Sequence, residues 1–316
     1  MEYLMVGLAL LGLAVKGYCG KKISGFVQTP ADAVGWNLIR MLLCMLIGAC
    51  LFFFEQAQDF LLVEPGMLAI CLLSGLANAT FLVLWVFAVQ KNTMVFVDVG
   101  LTMGSMITAV LCAFLFREVI SIPKLLGFAL ILLATVVLAG PHGRLGRVEL
   151  SGISLVGLAA IADGLSGFAQ QLYRQYYTAN DVAWSGIEYP KSVFHFYTYA
   201  FAVLAFVLVL WVLHCLMVRA SKDCTKGEEQ PRRRVPTSVL VYIFVMAVCL
   251  FAANYFQTVA TNDYHLPSQV LYPVIKGGCL ITVNITAMLF FGEPITKRSL
   301  FGSMLALVGI VAMSIL

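Results

Sequence analysis

Leu115-Phe116-Arg117-Glu118, followed by Lys124 and Gly127, recurs as Phe290-Phe291-Gly292-Glu293, followed by Lys297 and Gly302. Glu118/Glu293 and Gly127/Gly302 are both 175 residues apart. The start of the chain repeats as well. Val6-Gly7-Leu8-Ala9 returns as Val156-Gly157-Leu158-Ala159, and Gly17-Tyr18 as Gly167-Phe168, at an offset of 150. The changed offset implies that a loop or helix grew between the matched ends. With an odd number of membrane spans per copy, the second copy must insert upside down. Inverted halves around a midplane site are a recurring carrier architecture.

The 316 residues are 61% hydrophobic and 11% charged. Soluble domains carry about 25% charged residues, so this chain needs lipid as its solvent. Charges cluster between apolar runs, which makes the net +4 a topology signal and leaves no basic, aromatic-rich module to bind nucleic acid. None of the nine cysteines forms a C-x-x-C pair, and nearly all lie in apolar runs, where they read as small packing residues. No metal or cofactor is expected. The first apolar run ends in Lys21-Lys22 rather than a small-residue cleavage site, so it reads as a retained span.

Ten apolar segments are expected, at roughly 3–20, 33–54, 66–89, 93–115, 121–139, 151–173, 192–217, 237–260, 267–291 and 297–316. They are unbroken rather than alternating, which selects helices over a barrel. The expected fold is all-α and integral to the membrane: ten transmembrane helices as two inverted five-helix repeats, 1–145 and 146–316, with a mobile loop at about 219–236. Loop charge gives an orientation. Lys21, Lys22, Lys91, Arg144, Arg147, Arg219, Lys222, Lys226, Arg232, Arg233, Arg234, Lys297 and Arg298 fall on one side, against Arg117, Lys124, Arg174 and Lys191 on the other. The positive-inside rule then places both termini outside the cytoplasm.

Ionisable groups within the spans are costly and mark candidate sites. Asp98 in span four and Lys276 in span nine are the deepest, and their positions nearly match between repeats. They are expected to meet near the midplane, as a permanent ion pair or as a substrate or proton site. Tyr272-Pro273 before Lys276 and Gly277-Gly278 after it weaken that helix locally. Arg40 and Asp163 are further candidates. Asn78 and Asn254, 176 residues apart, either bind ligand or join helices. Lys16 reads as a snorkelling residue near a span end. His195, Tyr197 and Tyr199 read as interface anchors, and Phe81 and Trp85 as packing or lipid-facing aromatics.

Gly164-Leu165-Ser166-Gly167 resembles the nucleophile segment of rhomboid proteases, but His195 lacks their Ala-His-x-x-Gly setting. No H-E-x-x-H motif or P-loop appears, so the chain does not read as an enzyme and carries no ATP engine of its own.

Arg40 and the two segments Phe116-Arg117-Glu118 and Phe291-Gly292-Glu293 resemble the drug/metabolite transporter superfamily, in its ten-helix EamA-type branch. The resemblance spans nearly the whole chain. It implies two five-helix inverted repeats around a central cavity, and gradient-driven or facilitated transport of small organic solutes. It implies both termini in the cytoplasm, against the charge count. Glu118 and Glu293 are expected to cap the helices that follow them.

The expected function is alternating-access transport of a small polar metabolite across a bacterial inner membrane. Spans one, three, four, six, eight and nine would line the cavity, while spans five and ten brace it. Lys276 is the expected electrostatic anchor, with Asp98 as its resting partner or as an ammonium binder. Asn78, Asn254 and Tyr272 are the expected orienting groups. The expected partners are the small-molecule substrate, the lipid bilayer and a coupling proton, in a monomer or homodimer. The competing reading is a non-transporting scaffold or sensor.

Overall fold

The computed structural model describes residues 2–27, 29–55, 62–116, 121–139, 150–178, 188–223, 236–263, 268–292 and 296–314. They form ten α-helices: α1 (Glu2–Ser24), α2 (Pro30–Phe54), α3 (Pro65–Lys91), α4 (Met94–Phe116), α5 (Ile122–Ala139), α6 (Leu150–Tyr177), α7 (Lys191–Asp223), α8 (Thr237–Asn262), α9 (Ser268–Phe291) and α10 (Lys297–Ser314). The all-α, ten-helix expectation holds. Glu118, Glu293, the side chain of Tyr272 and residues 224–235 of the expected mobile loop lie outside the described residues.

Local chemistry sets the helix ends. The Thr29 hydroxyl accepts from the Asp32 N–H at 3.1 Å, and the Asp32 carboxylate accepts from the Thr29 N–H at 3.0 Å. This reciprocal box, with Pro30 at the first helical position, satisfies donors that a helix start leaves open. Pro65 likewise stands at the start of α3, there without a side-chain cap. At the end of α9, Gly292 adopts φ 60°, a left-handed conformation that stops a helix at little steric cost to glycine.

Seven helices are long and apolar enough to cross a membrane. The remaining three carry shorter apolar runs, at Ile122–Leu138, Ile275–Phe291 and Leu300–Ala312. The bundle also exposes many large apolar side chains, Phe114 at 89% among them. Exposed apolar surface on this scale belongs against lipid. The chain is a multi-pass helical membrane protein. Within it α3 is central, with half of its apolar window buried, and α7 is peripheral, with 17% buried.

Helix contacts define two ends of the bundle. At one, Lys191 at the start of α7 pairs with Asp263 beyond α8 at 2.6 Å. Ser192 and Tyr255 there donate to Glu55, at the end of α2, at 2.5 and 2.9 Å. At the other, Lys21 of α1 donates to the Val89 carbonyl of α3 at 3.0 Å. Gln90 donates to the carbonyls of Ser24 and Val27 at 2.5 and 2.8 Å. Ala9 packs with Ala260, whereas Cys19 packs with Val239, so α1 runs antiparallel to α8. In α5 and α10, the Arg298 Nε donates to the Val137 carbonyl, joining the start of one to the end of the other. The main pairings are α1 with α8, α3 with α6, α2 with α7, and α5 with α10.

The α4–α6 contact is made by glycines. A Cβ on Gly164 would lie 2.7 Å from the Gly104 carbonyl oxygen, and one on Gly104 would lie 2.9 Å from that of Ala160. Small residues let backbones approach this closely, and the Thr108 hydroxyl uses the approach to donate to the Gly164 carbonyl at 2.8 Å.

Gly164→Val is therefore expected to lower the thermal unfolding midpoint of the detergent-purified protein, by the equivalent of roughly 1–3 kcal/mol, because backbone cannot move aside as a side chain tip can. Gly157→Ala, where nothing lies within 4 Å of the added carbon, serves as the control and is expected to hold or raise the midpoint through helix propensity.

Candidate functional site

Polar residues on the inner helices fall at helical spacing. On α6 they are Asp163, Ser166, Gly167 and Gln170, one stripe at i, i+3, i+4 and i+7. On α4, Gly104, Ser105, Thr108 and Cys112 form another, and on α8, Asn254 and Gln257. The stripes converge on a central cavity of about 190 Å³, lined by α1, α3, α4, α6, α8 and α9 with Lys124 from α5. These are the six helices expected to line it.

Five charged side chains line the cavity: Lys16, Asp98, Lys124, Asp163 and Lys276. Lys276 donates to Asp163 Oδ2 at 2.6 Å, with each side chain 23% exposed. The expected pairing of Lys276 with Asp98 is thus corrected. The offset comparison matches α4 with α9, but α6 packs on α4 more extensively than α9 does. The Gly104–Gly164 contact brings Asp163 between them, so that a Cβ on Gly104 would meet its carboxylate at 2.7 Å. Asp98 lies six residues earlier on α4, about 9 Å along the helix. It still senses the charges of Lys276 and Lys16.

Lys16 was underweighted by position alone, because a lysine near a span end usually reaches for the interface. Instead its ammonium lies 5.5 Å from the centre of the Phe81 ring, inside the cavity. Phe81 and Trp85 line the cavity too, rather than facing lipid. The usable signal was the stripe on α3, where Asn78, Phe81, Trp85 and Val89 recur at helical spacing.

Both asparagines line the cavity while joining helices. Asn78 donates to the Ser74 carbonyl and to the Ser166 hydroxyl, each at 2.9 Å. Asn254 donates to the Tyr199 hydroxyl at 3.0 Å. Tyr199 and His195 are buried, which corrects their reading as interface anchors. The His195 Nε2 sits 3.1 Å from the Thr258 hydroxyl, not beside Ser166.

Arg40 does not reach the central cavity. It is 2% exposed and lines a separate cavity of about 20 Å³ with Trp36 and Asn37. Its Nε and Nη2 have no hydrogen-bond partner. Its place on α2, whose main partner is α7, turns it away from the stripes of α3, α4 and α6.

No protein-family profile matches the sequence, and no curated protein matches it. Solved structures do, with 27 matching chains. One, described as "Crystal structure of protein", aligns with 98% of this chain and 95% of its own at a TM-score of 0.63 and 13% identity. That likeness is one of fold.

Replacing a buried, poorly partnered ion by an apolar group of similar length is often neutral or stabilising. Arg40→Met is therefore expected to leave the thermal midpoint unchanged or raised. Asp163→Asn, which strands Lys276, is expected to lower it, and the double variant Asp163→Asn/Lys276→Met to recover most of the loss; a double variant as unstable as the two losses added would remove the coupling.

Proposed function

We propose that the protein is a secondary-active or facilitative carrier that moves a small polar metabolite across a bacterial cytoplasmic membrane by alternating access, and not an enzyme. The observation that carries this reading is the central cavity, which is lined by five charged side chains and by helices of both halves. Charges in a bundle surrounded by lipid are costly to keep and are retained where they serve a pathway.

The halves are read as inverted repeats. Supporting this, the contact pairs map onto one another when each helix in 1–5 is exchanged with its counterpart in 6–10: α1–α8 with α6–α3, α2–α8 with α7–α3, and α4–α6 with α9–α1. The opposed directions of α2 and α7, which share Glu55 and Ser192 at one end, agree with inversion.

Two pairs depart from the exchange, α4–α10 and, more extensively, α1–α3. α1 and α3 are joined at the Lys21 end, yet among the described residues the backbones of their counterparts α6 and α8 do not pack as closely at the Lys191 end. Gln170 and Gln171 of α6 and Gln257 of α8 line the cavity there. In our reading this is one of two access states, closed at the Lys21 end and open at the other. Exchanging which pair is joined would give the second state, which is how two packings of one bundle achieve alternating access. The charge asymmetry of the loops places the Lys21 end in the cytoplasm.

The deciding comparison is of intracellular and medium metabolites in cells expressing wild type or Lys276→Ala at matched membrane levels. A solute redistributed by wild type and at least tenfold less by the variant is expected. Equal profiles, with both proteins folded, would instead favour a scaffold or sensor.

A further inference from the structure

We infer that the small cavity beside Arg40 binds one monatomic anion of the size of chloride, held by the Nε–H and Nη2–H edge of the guanidinium. This site is separate from the central cavity and independent of what that cavity carries.

Arg40 stands ten residues into α2, about 15 Å from its start. That is near half the depth of a hydrocarbon layer about 30 Å thick. The side chain is buried, so its head group does not snorkel to water. An arginine also keeps its proton inside proteins, so the charge stays.

The protein supplies no counter-charge. Among the described residues no carboxylate lines the cavity, and Arg40 makes no ion pair. Its Nε and Nη2 are buried without hydrogen-bond partners. The neighbouring polar groups are engaged elsewhere. Asn37 Nδ2 donates to the carbonyls of Ala33 and Leu82 at 2.9 and 3.4 Å. The Cys44 thiol donates to the Ala247 carbonyl at 3.4 Å, and the Tyr199 hydroxyl accepts from Asn254. Lys16, the nearest cation in the central cavity, repels Arg40 and so adds to the positive field. The Trp85 ring stands between the two cavities: it lines the central one and packs against Gly20 of the small one, where a Cβ would run into it.

The occupant follows from geometry and charge. Nε–H and Nη2–H lie on one edge of the planar guanidinium and point the same way, so a single acceptor can take both. The cavity of about 20 Å³ has room for one water-sized occupant, which needs about 10–15 Å³. Sulfate, phosphate and organic carboxylates are too large. A water would accept both hydrogen bonds and leave the charge uncompensated among Ile23, Val86, Ile243 and Met246. A monatomic anion satisfies the donors and the charge together.

The test is the thermal unfolding midpoint of the full-length, detergent-purified protein as chloride replaces gluconate at constant ionic strength. A ligand of the folded state raises the midpoint once its concentration exceeds Kd. Chloride and bromide are expected to raise it, and sulfate to leave it at the gluconate value. Arg40→Met is expected to lose the chloride response while equalling or exceeding wild type in gluconate, where the guanidinium is a stranded charge. Arg40→Lys keeps the charge and loses the two-pronged edge, and is expected to bind chloride at least tenfold more weakly. In wild-type crystals grown in bromide, an anomalous peak is expected at the Arg40 guanidinium, a result that needs no variant to fold. Absence of a chloride-specific rise in wild type overturns the inference and leaves water as the occupant. An equal rise in Arg40→Met, or bromide peaks only outside this cavity, overturns it as well by placing the anion elsewhere.

Discussion

Ionised side chains inside a lipid-surrounded bundle must be compensated by one another, by backbone dipoles or by a ligand. Much of this architecture follows from meeting that constraint at Lys16, Asp98, Asp163 and Lys276. The glycine contact between α4 and α6 carries Asp163 inward to where Lys276 can reach it. Asn78 and Asn254 spend their donors on neighbouring helices and so hold the cavity walls in register. The outer pairs, α2 with α7 and α5 with α10, keep the charged interior away from hydrocarbon.

Much of the fold was legible in the sequence, because lipid leaves long apolar runs with most charges between them. Within the site, Asp98, Asp163, Lys276, Asn78 and Asn254 were legible for the same reason: a polar group in hydrocarbon stands out. Their partnerships were not. Which carboxylate meets Lys276 depends on how far α6 rolls towards α4, and that is set by the absence of side chains at Gly104 and Gly164. For Arg40, the sequence reports that a charge is intramembrane without reporting which cavity it faces. Lys16 was undervalued because a position near the end of a span has an ordinary explanation, which its neighbour Phe81, 65 residues away, overrides.

The joined end of the bundle uses a different chemistry from the cavity. Lys21 and Gln90 both donate to backbone carbonyls near the ends of α1 and α3. Helix C-termini carry unsatisfied carbonyls, so donors placed there satisfy groups that would otherwise need water. Such a closure depends on helix position rather than on the side chains opposite. The cavity, by contrast, works through side-chain charge. In the proposed carrier, ligand contact and end closure would thus fall in separate parts of the molecule.

The helices also differ in length. α5 and α10 have 18 residues each, a rise of about 27 Å, whereas α3 has 27 and α7 has 33. The longer helices can tilt or extend into the headgroups. The paired short ones, bound side by side and antiparallel, have less described length to spare against a hydrocarbon layer about 30 Å thick. Hydrophobic mismatch in a thicker bilayer would therefore be felt first on that flank, next to α4 and α9.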